Sequence, residues 1–253
     1  MPTNPNDPAV LPILGHLDEL RRRVIYVVVY LIAGMIAGLY FAKPFIHLIE
    51  IPASGAFTNF VLMQPTEIVA IYFKVALYIG IVLSLPALIY NLWKFIKPAV
   101  PQGVNVSLYG WGASVVALFV VGTVFSFKIL LPSGYMFLMG LSKEVALPMI
   151  TLSSYMSLAM SILVIGGFTF EMPVIAALLT RLRIITPRLM MAKWREVVFG
   201  LCVIAAVVTP TTDVFNMMIF ALPMIALFGV SILVSSVVYK IYVKDASGEP
   251  YGN

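Results

Sequence analysis

From residue 24 to residue 239 the sequence is a succession of long apolar runs broken by short polar segments. This pattern limits the fold more than any motif does. No water inside a bilayer satisfies an unpaired backbone group, so a spanning segment must be a helix or part of a closed barrel. A helix needs about 20 mostly apolar residues to cross about 30 Å of hydrocarbon. The runs at 24–41, 68–92, 107–130, 152–180, 197–208 and 214–239 fit helices, the fifth of them short. Charged residues make up 11% of the chain, where soluble domains carry about 25%. The expectation is an all-α polytopic membrane protein of six transmembrane helices, one membrane domain over 1–253. Residues 1–23 form an amino-terminal segment with an amphipathic helix, 24–239 the six-span core, and 240–253 a tail. No internal repeat is visible, which counts against inverted-repeat transporters.

Six spans put both termini on one side, and the basic residues say which. Arg21, Arg22, Arg23, Lys94, Lys97, Arg181, Arg183, Arg188, Lys193, Arg195, Lys240 and Lys244 fall on one face. Lys43, Lys74, Lys128 and Lys143 fall at or near the other. The excess marks the cytoplasmic side, so the termini and loops 94–106 and 181–196 are expected there. Arg21-Arg22-Arg23 precedes a run longer than a signal-peptide core and reads as the flank of an uncleaved first span. The loop from Pro44 to Glu67 contains Pro52, Ser54-Gly55 and Pro65, and its length suggests an ordered cap.

Several function classes drop out. Cys202 is the only cysteine, and His16 and His47 are the only histidines. No intrachain disulfide is possible and a His/Cys metal cluster is not expected. There is no nucleotide loop and no catalytic constellation that spacing supports, so neither an enzyme, a cofactor, a metal nor a nucleic-acid partner is expected.

Glu171 carries the most information. It lies in Gly167-Phe168-Thr169-Phe170-Glu171-Met172-Pro173-Val174, about 15 Å along a helix from Arg181 and so near mid-bilayer. A carboxylate at that depth costs about 2.5–3.5 kcal/mol on insertion scales and faces a partner or a wet cavity. Pro173 removes a backbone donor and bends the helix. The bland alternative is a protonated carboxyl satisfied by Thr169 or a neighbouring span; the functional one is a docking point for a partner helix or part of a transport path. His16-Leu17-Asp18-Glu19-Leu20-Arg21-Arg22-Arg23 sits just before the first span. Glu19 and Arg23 are four apart and can pair, with the arginines meeting anionic lipid; alternatively Glu19 is an exposed acid that receives a cationic ligand. In Asn91-Leu92-Trp93-Lys94-Phe95-Ile96-Lys97-Pro98, Trp93 reads as an interfacial anchor and Phe95 as a contact residue. Thr209-Pro210-Thr211-Thr212-Asp213 is a turn, with Asp213 placed to cap the last helix.

Taken together these segments resemble the TatC family, the multispanning core of the twin-arginine protein translocase. The likeness covers about residues 15–240. It is carried by His16-Leu17-x-Glu19-Leu20-Arg21-x-Arg23, Pro65-Thr66-Glu67 with Lys74, and Leu85-Pro86. It continues through Trp93-x-Phe95-Ile96-x-Pro98, Phe168-x-Phe170-Glu171-x-Pro173 and Thr209-Pro210-x-x-Asp213-x-Phe215-Asn216-Met217. The resemblance implies six spans in a cupped arrangement, cytoplasmic termini and residence in the inner membrane of a prokaryote. It implies a non-enzymatic receptor that binds twin-arginine signal peptides of folded cargo. It also implies single-span TatA- and TatB-like partners, homo-oligomers within the translocase and export driven by the proton-motive force. Carried over by position, Glu19, Leu20, Arg21 and Phe95 fall at the signal-peptide patch. Glu171, Thr209, Asp213 and Asn216 fall where partner helices dock, while Pro52, Pro86, Pro98, Pro173 and Pro210 shape turns and bends.

One position departs from the family. Its first cytoplasmic loop carries a second glutamate where this chain has Val104, and no acid occurs between Glu67 and Glu144. Arginine recognition would then rest on Glu19 with Glu196 or Asp18. Two competing readings remain: a paralogue serving as an assembly scaffold, and an ion-coupled transporter using Glu171.

Overall fold

α1 (Leu11–Glu50) runs for 40 residues without a break, about 60 Å at 1.5 Å per residue. That is far more than a bilayer needs. The amphipathic helix expected before the first span and the span itself are one rod, and Pro44 sits inside it without ending it. The structure is a computed structural model that describes residues 11–53, 60–96, 108–143, 150–208 and 214–244. Pro98, Val104, Thr209, Pro210 and Asp213 lie outside those residues.

After α1 comes one 3-10 turn, Ile51–Ala53, which holds Pro52. α2 (Thr66–Ile96) follows, with Pro86 inside it. α3 (Leu108–Phe125) passes through a π-helical stretch, Ser126–Leu130, into α4 (Leu131–Lys143), so this rod outruns the expected 107–130. α5 (Leu152–Phe170) and α6 (Met172–Arg181) are one span broken at Glu171. α7 (Pro187–Ala192) and α8 (Trp194–Val208) precede α9 (Val214–Val238), which ends in a second π-helical stretch, Tyr239–Lys244. Among the described residues five rods are long and apolar enough to cross a membrane: Asp18–Glu50, Thr66–Lys94, Gly110–Phe137, Leu152–Arg181 and Met217–Ile241. α8, expected as the short fifth of six spans, has 15 residues, about 22 Å, and falls short of that length.

Small residues set the closest helix packing. α1 lies chiefly against α2. A Cβ added at Gly34 would come within 2.9 Å of the Gly80 carbonyl oxygen, and one at Gly38 within 2.7 Å of that of Ala76. Two backbones in contact over a Gly-x-x-x-Gly stretch is how helices associate where lipid supplies no hydrophobic drive. α3 and α5 meet in the same way, Gly122 facing the Gly166 carbonyl and Gly167 facing the Phe119 ring.

At the end of the molecule away from the start of α1, aromatic packing closes the fold. Tyr155 is buried and donates through Oη to the Ile49 carbonyl at 2.6 Å. Phe60 and Tyr135 pack on its ring, with centroids at 5.0 and 5.2 Å. Val61 bridges to Thr151, and Thr151 caps α5 by accepting from the Ser154 amide. The described part of the 44–67 segment is therefore tied down: α1 extends to Glu50, and Val61 bonds to Ile150 and Leu152 at 3.2 Å each. Nearby, Lys74 Nζ donates to Ser157 Oγ at 2.6 Å, joining α2 to α5.

Candidate functional site

Pro173 explains the break at Glu171. Proline has no N–H to give the carbonyl one turn back, so α5 stops at Phe170 and α6 restarts at Met172. The backbone stays near helical, with Glu171 at φ −74 and ψ −14. Its N–H donates to the Phe168 carbonyl at 3.1 Å, and its own carbonyl accepts from Ile175 at 2.9 Å. The break changes partners: α5 packs mainly on α3, whereas α6 packs mainly on α9.

The Glu171 side chain is 5% exposed. Neither carboxyl oxygen has a hydrogen-bond partner among the described residues. Thr169 does not satisfy it: no hydrogen bond joins the two side chains, and Thr169 Oγ1 donates to the Ile165 carbonyl at 2.7 Å. The Phe119 backbone amide on α3 comes near, but its place in the helix commits that N–H to α3. A buried polar group left unpaired costs about 1–3 kcal/mol, more when charged. Glu171 lines a cavity of about 160 Å³ whose other walls are apolar or aromatic, among them Leu88, Trp93, Trp111, Val115 and Ile175. Trp93, expected as an interfacial anchor, is thus also a wall of this cavity. Trp111 went unnoticed in the sequence because it meets Glu171 only through the packing of α3 against the broken span.

The second site lies where α1 begins and α2 ends. Asp18, Glu19, Arg22, Arg23 and Tyr26 from α1 and Lys94 from α2 enclose a cavity of about 600 Å³. Glu19 accepts from Arg23 Nε at 3.2 Å and also from Nη2, the i, i+4 pair that the spacing allows. Lys94 Nζ stands 4.7 Å from the Tyr90 ring centroid. Leu20 is exposed, and Arg21 lines an adjoining cavity of about 360 Å³ with Asp18, Arg22, Ile25 and Tyr26. Phe95 belongs to the last turn of α2 and Asn216 to the first turn of α9. Glu196 is tied instead to Lys193 Nζ at 2.9 Å, and that hydrogen bond holds its exposed carboxyl below the usual range. Among the described residues no group of three or more His, Cys, Asp or Glu side chains is placed to hold a metal. The two cavities are neighbours along α2: Leu92 and Trp93 line the one with Glu171, and Lys94 the one with Glu19.

A family model described as Sec-independent protein translocase protein (TatC) matches residues 15–223. The chain belongs to the TatC family. TatC of Deinococcus radiodurans is 32% identical over 97% of this chain and 93% of that protein. TatC of Koribacter versatilis is 33% identical over 94% of each. A crystal structure of the twin arginine translocase receptor TatC superposes with a TM-score of 0.78 at 28% identity, covering 88% of this chain and 99% of that one. The fold is therefore that of a TatC-type, all-helical, multi-pass membrane protein of the translocation pathway.

Proposed function

We propose that this chain is the receptor subunit of a twin-arginine translocase in the cytoplasmic membrane. In this reading its termini face the cytoplasm, and α8 crosses as a sixth, short span through locally thinned bilayer. Glu19 receives a signal-peptide arginine. A guanidinium matches a carboxylate in bidentate geometry, and a twin-arginine sequence is an address read by a receptor rather than an anchor. Asp18 supplies the second carboxylate in place of the missing acid at Val104, because it lines the same cavity as Glu19, whereas Glu196 is engaged by Lys193. Leu20, Arg21 and Phe95 flank the patch. The observation that carries the reading is the buried, unpartnered carboxyl of Glu171 in a cavity one residue along α2 from the Glu19 site. A polar side chain on a TatA- or TatB-like span would give that carboxyl its missing hydrogen bond, with Thr209, Asp213 and Asn216 adding polarity at the α8–α9 turn. Copies of the chain assemble within the translocase, and the proton-motive force drives export.

Complementation tests this. A strain lacking its own TatC, expressing this chain and a folded fluorescent cargo, should export the cargo, and replacing the two signal arginines by lysine should stop export. Stable, membrane-inserted protein that supports no export would favour the assembly-scaffold reading, to which Val104 lends weight.

A further inference from the structure

We propose that the cavity between the start of α1 and the end of α2 holds the phosphate group of an anionic phospholipid, with Arg22 and Lys94 as its principal ligands. Charge and shape point to this ligand. The two adjoining cavities are lined by four cations, Arg21, Arg22, Arg23 and Lys94, against two carboxylates, Asp18 and Glu19. Arg23 is spent on Glu19. Among the described residues Arg21, Arg22 and Lys94 have no carboxylate within ion-pairing distance. Arg22 and Asp18 each line both cavities, so beyond the Glu19–Arg23 pair three cations stand against one carboxylate. Lys94 is held over Tyr90, which fixes where its ammonium stands.

The surface beneath accommodates an acyl chain. From Arg22, helical spacing leads to Ile25, Tyr26, Val29 and Ile32, and all four are exposed. Residues three, four and seven apart share one helix face, so a cationic head site is continued by an apolar strip along α1, as an acyl chain requires. Basic pockets between helices at the cytoplasmic boundary are a recurring way to hold anionic headgroups. A phosphate there would also offset the repulsion that an incoming cationic segment meets at Glu19. The inference goes beyond the receptor reading and does not rest on it, because it is tested without a signal peptide.

The test is lipid retention by the purified full-length chain in detergent, read by native mass spectrometry after adding phosphatidylglycerol or phosphatidylcholine. One phosphatidylglycerol per chain should survive where phosphatidylcholine is lost. Arg22→Gln with Lys94→Gln should weaken retention about 25-fold, each basic residue near a membrane surface being worth about fivefold. Arg188→Gln with Lys240→Gln removes equal charge elsewhere and should change nothing. Arg22→Lys with Lys94→Arg should keep the lipid, and Arg22→Gln alone should give an intermediate loss if the double variant does not fold. Equal retention of the two lipids would overturn the proposal. So would an equal loss in the Arg188/Lys240 control, which would mean bulk surface charge. Displacement by inorganic phosphate alone would assign the site to free anions and likewise sink it.

Discussion

Glu171 and Glu19 are both carboxylates, but their surroundings ask different things of them. Glu171 is buried without a hydrogen-bond partner among the described residues, so its side chain should matter for hydrogen bonding more than for charge. Glu171→Gln keeps the shape and a polar head and should retain most export, whereas Glu171→Leu should lower partner co-purification at least several-fold. Leu behaving as wild type in both assays would remove the intramembrane acid from the mechanism. Glu19 is instead paired with Arg23, and in the proposed receptor role an incoming guanidinium would take Arg23's place. An i, i+4 pair at a helix surface is worth about 0.3–0.5 kcal/mol, and this one is half-buried. Arg23→Gln should therefore tighten binding of a twin-arginine peptide about twofold in a fluorescence titration, and Glu19→Ala should abolish most of it. Both carboxylates were legible in the sequence, one from its depth in an apolar run and the other from four-residue spacing. Trp111 beside Glu171 and Lys94 beside Glu19 were not, since each arrives from another helix and no local pattern marks such a meeting.

At the scale of elements, the sequence shows where helices fail better than where they continue. Pro173 announces the break between α5 and α6, yet Pro44, Pro86 and Pro223 lie inside α1, α2 and α9 without ending them. In a bilayer, neighbouring helices and local adjustments re-satisfy the freed carbonyls, so proline alone does not fix a boundary there. α6 ends in a Schellman turn, with Ile184 N–H on the Leu179 carbonyl and Arg183 N–H on that of Thr180, both at 3.0 Å. This puts Arg183 at φ 60, a conformation glycine usually fills, and nothing in the sequence signals it. The Gly34–Gly38 spacing is a readable packing signal. Gly38→Leu would press a side chain into the α2 backbone, and overpacking of this kind costs about 1–3 kcal/mol. A lower unfolding temperature in detergent would report it, and an unchanged one would mean that α1 and α2 separate easily.

At the scale of the molecule, five rods among the described residues meet the length of a bilayer and α8 does not. If α8 crosses, its mismatch grows with lipid thickness. Export by vesicles of long-chain lipid should then fall well below that by vesicles of ordinary thickness, with the chain still folded by circular dichroism. Equal export in both would place α8 outside the hydrocarbon. Helical class and membrane residence follow from the apolar runs alone. The pairing of rods does not, because apolar faces in lipid are nearly interchangeable and the small residues that choose between them are few.

The glycine contact between α1 and α2 has one more consequence. Both walls of the Glu19 cavity belong to these two rods, and the rods touch backbone to backbone. The mouth of that cavity thus has a gauge set far below it, by hydrogen atoms at Gly34 and Gly38 where other residues carry a carbon. A backbone contact of that kind resists any parting of the two rods. For the proposed receptor, this would make the exchange of side-chain partners, by charge and hydrogen-bond matching, the means by which a visitor is told from its rivals.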